Sequence, residues 1–479
     1  MAGIGFKLRK LLDEGTYFAE IKVFFFAAYL IAGPWLITVS VIGLISLFSS
    51  LSGNDYDIFR TAVVYIYAFS LILTGLYQMP LTRYLADQLY IEKVEEIAPS
   101  FLGMFIVVSV VSAAVGWCYA LIFPLSVFFR IIFSAGLTIV SLLWLAGIYL
   151  SCLRDFNKIG FHYTFGGILS LILTLILEKY FGSTGALLGF LTGQAITLLG
   201  LSFRILHELS FPGLRVSYEC LKSLKKYRIH LLAGFFFNCA IWIDKFLFWL
   251  SSYSSSPCRG MYSFGHYDTS IFLAYITIIP ALAIYLTNIE TSFYETYREF
   301  YGSILKQQPL KTIMRRYSDI LRNIRFTFFE LVKTQGLLTL VIYYFTPEIL
   351  MKMQYPATLA VTVRWGLWAA FFQTLFLFSM MLLLYFELAR ETLWSTICFF
   401  GINAAVTALV IVCRLDDYYA LGYFLSAIIS FTFSSWLLYK RLQELVFSTF
   451  MSQPIPHEGT PTENYIGTDG RIGKIIFPN

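Results

Sequence analysis

Residues 127–150 read VFFRIIFSAGLTIVSLLWLAGIYL, an apolar run with a single ionised side chain, Arg130, near its start. A run of this length can cross a hydrocarbon core of about 30 Å as a helix. Because lipid offers no hydrogen-bond partner to backbone groups, a spanning segment must be a helix or part of a closed barrel. Ten-residue alternating stretches, which are typical of barrel strands, are absent from the sequence. The run therefore predicts an all-α membrane protein.

Similar runs recur along the chain of 479 residues, of which 58% are hydrophobic and only 13% charged. A water-soluble domain of this size carries far more polar surface. We predict twelve membrane spans, at 23–48, 58–79, 101–123, 127–150, 161–178, 182–203, 229–250, 269–289, 334–350, 361–386, 392–413 and 418–439. Pro347 interrupts the ninth span. The first span is too long for a cleaved signal peptide and lacks the small-residue cleavage site of one.

The distribution of Lys and Arg predicts the orientation in the membrane. With an even number of spans both termini lie on one side, and the segments of that side carry 27 Lys and Arg, whereas the opposite segments carry seven. Such an excess is typical of cytoplasmic segments. We therefore expect a multi-pass protein of the bacterial inner membrane with both termini in the cytoplasm. The net charge of +6 follows mostly from this excess, so it does not indicate nucleic-acid binding.

The polar stretch 204–228 divides six spans from six, and the two halves are weakly related. FFFAAYLIAGPW from Phe24 corresponds to FFFNCAIWIDKF from Phe235 at an offset of 211, and LTRYLADQLY from Leu81 corresponds to TSFYETYREF from Thr291 at an offset of 210. We predict two pseudo-repeated six-helix bundles around a central cavity. The predicted units are an interfacial cytoplasmic helix at 1–22, an N-terminal bundle at 23–203, a cytoplasmic linker at 204–228, a C-terminal bundle at 229–450 that includes a cytoplasmic basic amphipathic segment at 290–333, and a mobile tail at 451–479.

The offset places Gly33-Pro34 of span 1 opposite Asp244-Lys245 of span 7. Proline breaks the helical hydrogen-bond ladder, and an ionised group in mid-span costs at least roughly 2.5–3.5 kcal/mol. Interruptions at matching positions of two halves are typical of a transport site. Adjacent residues lie about 100° apart on a helix, so we expect Asp244 and Lys245 not to pair with each other directly. Either Asp244 lines a cavity while Lys245 extends to the outer interface, or both pair with other spans.

Three further features fit a transport path at this depth. Pro280 interrupts span 8. Tyr29, Trp35 and Trp242 lie near the interrupted spans and offer rings that can stack on sugars, although most aromatic residues of the chain lie at span ends, where rings settle at the headgroup level. The predicted substrate path thus comprises Asp244, Lys245, Gly33, Pro34, Trp35, Tyr29, Trp242 and Pro280.

Sequence motifs of enzymes and of metal sites are missing. The chain contains no G-x-x-x-x-G-K-[ST], no H-E-x-x-H and no G-x-S-x-G, its five His do not cluster, and its seven Cys form no C-x-x-C pair. We expect no catalytic residue, no metal ligand and no cofactor, and hence a protein that is not an enzyme.

Two segments have amphipathic patterns. Residues 4–14 separate Ile4, Leu8 and Leu11 from Lys7 and Lys10. In residues 309–333, Lys311, Arg315, Arg322 and Arg325 form a basic stripe beside an apolar face. A basic amphipathic helix of this kind either lies on an anionic membrane surface or docks a cytoplasmic enzyme.

Three motifs together carry a resemblance to a known family. MAGIGFKLRKLL at the start, AGPW in span 1 and WIDKFLFW after residue 241 resemble the PelG family of inner-membrane transporters of the Pel exopolysaccharide system, over the chain to about residue 450. The tail after 452 and the irregular loop 251–268 depart from it. The resemblance implies the twelve-helix fold of the MATE and polysaccharide flippase superfamily. It also implies a polymer rich in N-acetylgalactosamine as substrate, and as partners a cytoplasmic glycosyltransferase and membrane subunits, one of which senses cyclic di-GMP.

Three functions remain open on the sequence. The first is export of an exopolysaccharide coupled to its synthesis. The second is cation-driven antiport of drugs or flipping of lipid-linked oligosaccharides, which would need an acidic cation site, and Asp244 is one of few candidates. The third is a membrane scaffold for a glycosyltransferase that transports nothing, for which twelve spans are far more than an anchor needs.

Overall fold

The structure is a computed structural model that describes residues 37–451 except positions 52, 92, 152–155 and 210–214. In this part of the chain, ten helices are long and apolar enough to cross a membrane, and Ile37–Phe48 (α1) is a shorter apolar helix. One of the ten, Phe156–Glu208 (α6), changes direction at Gly182, whose φ of 57° suits glycine. The two arms of α6 are separate spans, so the described residues contain eleven spanning segments, and α1 forms the end of the predicted first span at 23–48.

The first six spans form the N-terminal bundle. Its cores gather apolar side chains around Phe101, Tyr149 and Leu201 on one side of the membrane and around Phe59, Phe133 and Phe190 on the other. Besides α1 and α6, the bundle contains Asn54–Gly75 (α2), Gln78–Tyr90 (α3), Ile97–Ala120 (α4) and Val127–Leu150 (α5).

The linker between the bundles contains the short helix Glu219–Lys226 (α7). The membrane side on which α7 lies is called the linker side below, and the opposite side is called the hairpin side.

The remaining spans form the C-terminal bundle. The spanning helices are Arg228–Trp249 (α8), Gly265–Ile276 (α9) with its continuation Ile279–Asn288 (α10), Leu310–Lys352 (α12), Leu359–Tyr385 (α13), Ala389–Val412 (α14) and Leu421–Gln443 (α15). A π-helical turn at Ile289–Phe293 leads into Tyr294–Leu305 (α11), and Leu445–Met451 (α16) follows α15.

Span 8 is interrupted, as its proline predicts. Helix α9 ends at Ile276 and α10 starts at Ile279, and Thr277 and Ile278 donate only to the carbonyls three residues before them. Pro280 has no N–H for the ladder and its ring clashes with the preceding turn, which accounts for the break.

The loop that follows span 7 contains a β-hairpin that the sequence analysis does not predict. Strands Ser255–Cys258 (β1) and Met261–Ser263 (β2) pair antiparallel, with Cys258 opposite Met261. Gly260 adopts a φ of 88° in the two-residue turn between them. Met261 is fully buried in the apolar core of the N-terminal bundle, so this hairpin of the C-terminal half packs on the other half.

Span 9 differs from its prediction. Helix α12 runs unbroken from Leu310 to Lys352 with Pro347 inside it, so no break in the helix separates residues 310–333 from the predicted span 334–350. Of the apolar face predicted for residues 309–333, Ile313 is buried and Tyr317, Leu321, Ile324 and Phe328 pack against the core of the C-terminal bundle. The segment therefore does not lie with that face on a membrane surface. An amphipathic pattern shows that one face is covered, but not by what.

Candidate functional site

Helix α8 carries the acidic and basic pair and lies at the seam between the bundles. Trp242, Phe246 and Trp249 face the core of the N-terminal bundle, whereas Ala240 and Phe248 lie in the core of the C-terminal bundle. A helix with apolar side chains on both faces has no solvated side. Any ionised group on it must find its partners within the protein.

Asp244 has several donors around its carboxylate. Its side chain is almost fully buried, with 1% exposed. The hydroxyl of Tyr267 on α9 donates to Oδ2 across 2.5 Å, and the backbone N–H of Lys245 donates to Oδ1 across 2.9 Å. Charge-assisted hydrogen bonds are stronger than neutral ones, so Tyr267 fixes spans 7 and 8 to each other through this carboxylate.

Lys245 pairs with its neighbour, so the expectation that the two residues do not pair directly is wrong. Its Nζ lies 3.3 Å and 3.4 Å from the two carboxylate oxygens of Asp244 and donates to the carbonyl of Ile241 across 2.9 Å. The helical angle of 100° separates the Cβ atoms, but the lysine chain is long and folds back by one turn. The ammonium thereby reaches both the carboxylate beside it and the carbonyl four residues before it.

Aromatic rings complete the surroundings of the ammonium. Its nitrogen lies 5.5 Å from the ring centre of Trp242, 5.4 Å from that of Tyr275 and 6.0 Å from that of Tyr267. Such rings attract a cation through their electron-rich faces. Carbonyl, carboxylate and ring faces together are the surroundings that a bound cation would have, and in this protein the chain's own ammonium fills them.

The groups around the Lys245 ammonium, namely Asp244, the Ile241 carbonyl and the rings of Trp242, Tyr267 and Tyr275, are called the cage below. One side of the cage is partly open. Trp242 and Tyr275 are only half-buried. The indole Nε1 of Trp242 is buried and has no acceptor among the residues that the structure describes. A buried donor without an acceptor is costly, so an acceptor that reached it would be bound favourably.

Behind the cage, polar side chains join the spans of the C-terminal bundle. Asn403 of α14 donates to the carbonyl of Ala240 across 2.9 Å and accepts from Thr407. Tyr423 of α15 donates to Gln373 of α13, and its ring packs 5.6 Å from that of Tyr275. These bonds hold spans 8, 10, 11 and 12 in position around α8.

On the hairpin side, stacked rings close the seam. Tyr65 of α2 stacks on Trp249 with ring centres 4.7 Å apart, and the hydroxyl of Tyr65 donates to the carbonyl of Tyr262 across 3.0 Å. Tyr119 donates to the carbonyl of Gly260 across 2.7 Å. The Nε1 of Trp249 donates to both oxygens of Asp268, at 3.2 Å and 3.0 Å. The hairpin, which belongs to the C-terminal half, is thus fastened to the N-terminal bundle.

On the linker side, charged groups close the seam. Arg83 of α3 forms an ion pair with Glu387, which lies in the turn after α13 with a φ of 59°. Both side chains are about one-third exposed. Nearby, Tyr227 donates to Asp87 across 2.6 Å. Because Arg83 and Glu387 belong to different bundles, their pair resists separation of the bundles on this side.

Between these two closures, the bundles cross at a pair of glycines. A Cβ on Gly75 would lie 2.8 Å from the carbonyl oxygen of Gly234, and a Cβ on Gly234 would lie 2.5 Å from that of Gly75. Neither distance is compatible with any side chain. Close approach through small residues is the usual means of helix packing in lipid, where no hydrophobic driving force acts between helices.

The predicted path residues are therefore only partly placed. Asp244, Lys245 and Trp242 come together, and Pro280 lies at the break in span 8. The remaining four, Tyr29, Gly33, Pro34 and Trp35, lie outside the described residues. The basic stripe is exposed at Lys311, Arg315, Arg322 and Arg325.

Sequence reasoning misses the residues that complete the cage and the seam. Tyr267 and Asp268 fall in or beside the segment that the sequence indicates as an irregular loop, although an acidic residue in the first turn of a span is a signal worth following. No sequence signal distinguishes Tyr65, Tyr119 or Tyr275 from the many tyrosines at span ends.

Comparison with solved structures identifies the fold. A multidrug resistance MATE family transporter of the MOP superfamily, in an outward-facing conformation, superposes with a TM-score of 0.63 over 88% of this chain and 96% of its own, at 13% identity. The MATE transporter VcmN of Vibrio cholerae gives 0.60 over 93% and 98% at 14% identity. A MOP superfamily transporter from Pyrococcus furiosus gives 0.58 over 87% and 96% at 15% identity. These similarities show the fold, with its twelve helices in two repeated bundles.

Comparison of sequences identifies the family. No curated protein matches the chain. Residues 1–450 match the family described as PelG, "Putative exopolysaccharide Exporter (EPS-E)". With a multi-pass membrane fold that superposes on transporters and a family match over nearly its whole length, the chain belongs to the PelG family of transporters.

Proposed function

We propose that this protein exports an exopolysaccharide across the bacterial inner membrane, in concert with the glycosyltransferase that polymerises it. The family match supports export of a polysaccharide. The resemblance noted in the sequence supports a Pel-like polymer rich in N-acetylgalactosamine. On this proposal the linker side is cytoplasmic, as the excess of Lys and Arg on that side predicts.

The observation that carries the mechanism is the position of the Lys245 ammonium beside Asp244. A carboxylate that couples transport to a cation must be free to bind and release it. In this protein a tethered ammonium already contacts both carboxylate oxygens and the Ile241 carbonyl. This arrangement favours a path that recognises a neutral or polar polymer without exchange of Na⁺ or H⁺ at Asp244.

Groups at the seam have the chemistry that such a polymer needs. The half-buried rings of Trp242 and Tyr275 offer apolar faces for sugar rings. The Trp242 indole N–H offers a donor, and the Asp244 carboxylate offers an acceptor when the bundles part. For the bundles to part, either the Tyr65 and Tyr119 contacts or the Arg83–Glu387 pair must open, one membrane side at a time.

The proposed partners lie at the linker side. The cytoplasmic glycosyltransferase would feed the chain between the bundles, and membrane subunits, one of them a sensor of cyclic di-GMP, would control the assembly. Lys311 and Arg315 at the start of α12, and Arg322 and Arg325 further along the same helix, are exposed and available for contact with a partner or with lipid.

The alternative of cation-driven antiport of drugs or lipid-linked oligosaccharides has one specific observation in its favour, the likeness to MATE transporters. A deletion strain distinguishes the two cargoes. Loss of extracellular polymer at unchanged drug susceptibility, restored by the wild-type gene, is expected for the exporter. Drug sensitisation of the deletion strain with normal polymer secretion would show that the protein transports drugs and not the polymer. Normal values for both would contradict both cargoes.

A further inference from the structure

The outer surface of α12 carries charged side chains in an unusual place. Phe326, Phe329 and Leu337 are 60%, 66% and 64% exposed and follow one another along one face of the helix. Lys333 lies on the same face with 77% of its side chain exposed, and Glu330 is 3.8 Å away and 36% exposed. The face thus alternates large apolar groups with an ion pair.

Contacts on the buried side of α12 give the depth of this ion pair in the membrane. The ring of Phe328 stacks on Phe431, near the middle of α15, with centres 6.2 Å apart. A Cβ on Gly336 would lie 3.6 Å from the ring of Phe371, near the middle of α13. Lys333 lies between Phe328 and Gly336 in the sequence, so it is close to mid-membrane.

The linker-side end of the membrane is too far away for Lys333 to reach. Tyr317 donates to the carbonyl of Leu442, in the last turn of α15 beside Lys440 and Arg441, which marks that end. From Tyr317 to Lys333 the helix rises about 24 Å at 1.5 Å per residue. On the hairpin side, Arg364 of α13 donates to the carbonyl of Tyr343, ten residues or about 15 Å beyond Lys333. Headgroups on both sides are therefore too far away to bind the ammonium, and acyl chains offer it no hydrogen-bond partner.

A second copy of the chain is also a poor partner for this face. In a twofold contact the same patch meets itself. The exposed Arg325, which has no acidic partner among the described residues, would then approach its own copy. The patch is cationic towards the linker side, so it complements an acidic surface.

We infer that this face of α12, around Phe326, Phe329, Glu330 and Lys333, is covered in the membrane by a transmembrane helix of a different protein that carries an Asp or Glu near its centre. Such a carboxylate would join the Lys333–Glu330 pair away from lipid, and the two phenylalanines would pack beside it. This inference rests on the depth and exposure of the pair and does not depend on the cargo.

Photocrosslinking of the full-length chain in its own membranes tests the inference. Benzoylphenylalanine replaces Phe329 and, as a control of equal exposure, Val110 on α4, which is 65% exposed in the other bundle. From position 329 we expect an adduct whose peptide, identified by mass spectrometry, lies in a transmembrane helix with a central Asp or Glu. Position 110 should give lipid adducts alone.

Substitution of the lysine makes the test specific. Lys333→Leu should lower the yield from position 329 at least about tenfold, as expected for loss of a buried charge pair, whereas Lys333→Arg should retain most of it. Yields are normalised to inserted protein, and Lys333→Gln serves as a second neutral variant. Adducts with lipid alone, with a second copy, with residues 1–22 of the same chain or with a helix lacking an acid would overturn the inference, as would a yield unchanged by Lys333→Leu.

Discussion

Tyr267 and Asp244 are joined by a hydrogen bond of 2.5 Å that links span 8 to span 7 beneath the membrane surface. Tyr267→Phe removes the hydroxyl and leaves the ring in place. A hydrogen bond to a charged group contributes roughly 1.5–3 kcal/mol, so we expect a lower midpoint of thermal unfolding in detergent. Tyr253→Phe, which loses a bond to Asp416 at the exposed hairpin-side surface, is the control and should change the midpoint little. Equal midpoints for the two variants would mean that the bond to Asp244 adds nothing to stability.

The glycine crossing makes a second prediction about stability. Gly75→Ala places a methyl group 2.8 Å from the Gly234 carbonyl oxygen and must push the bundles apart. Gly401→Ala is the matched control, since no atom lies within 4 Å of its Cβ position and alanine favours a helix by roughly 0.5–1 kcal/mol. Thermal midpoints in detergent should fall for position 75 and stay level or rise for position 401. The opposite order would show that the crossing is not tight.

The ion pair between Arg83 and Glu387 predicts a rescue by charge exchange. Partly exposed pairs contribute roughly 0.2–1 kcal/mol, so Arg83→Glu should change the balance between open and closed forms about fivefold at most. We expect reduced secretion per inserted protein in Arg83→Glu and in Glu387→Arg, and recovery in the double variant. If the double variant is worse than either single one, the pair does not act as a closure between the bundles.

The predicted orientation is tested by the accessibility of introduced cysteines on the two membrane sides. Gln308 lies in the turn before α12, on the linker side. A cysteine introduced at Gln308 should react with a membrane-impermeant thiol reagent only after the cells are opened. A cysteine at Arg259, in the hairpin turn, should react in intact cells. Both are placed in a variant without other reactive cysteines, and the reverse pattern would invert the predicted topology.

The fold is largely predictable because lipid makes each span visible as an apolar run. Twelve spans and two halves follow from such runs and from the repeat, and the likeness to transporters with twelve helices in two bundles confirms both. Residues 310–333 are the exception, because they carry charges on one face and continue into span 9 as one helix while Ile313, Tyr317 and Phe328 pack on the protein itself. The surface that covers an apolar face is determined by tertiary packing, which the hydrophobic pattern of a single sequence does not reveal.

The candidate site is predictable in its centre and not in its surroundings. Asp244 and Lys245 attract attention because ionised groups are rare in spans, but their pairing depends on how the long lysine chain folds back to Ile241. Tyr267 and Asp268 belong to a segment whose helical start has a single weak signal in the sequence, the acidic residue in its first turn. The hairpin turn at Arg259-Gly260 is short, and its strands of four and three residues are too brief for a periodic pattern.

Asp244 acts, on the proposed mechanism, as a hydrogen-bonding group of a polymer path and not as an exchangeable cation site. Asp244→Leu alone leaves the Lys245 ammonium buried without its partner, at a cost of roughly 3–5 kcal/mol, and should reduce the amount of inserted protein. Asp244→Asn combined with Lys245→Met keeps the shape and an acceptor and removes both charges.

The decisive measurement is extracellular polymer per unit of membrane-inserted protein for this neutral double variant. We predict that it retains a substantial part of wild-type export and exceeds Asp244→Leu combined with Lys245→Met, which has no acceptor. Export abolished to the same extent in both double variants, at wild-type levels of inserted protein, would show that the negative charge itself is required and would contradict the role proposed for Asp244.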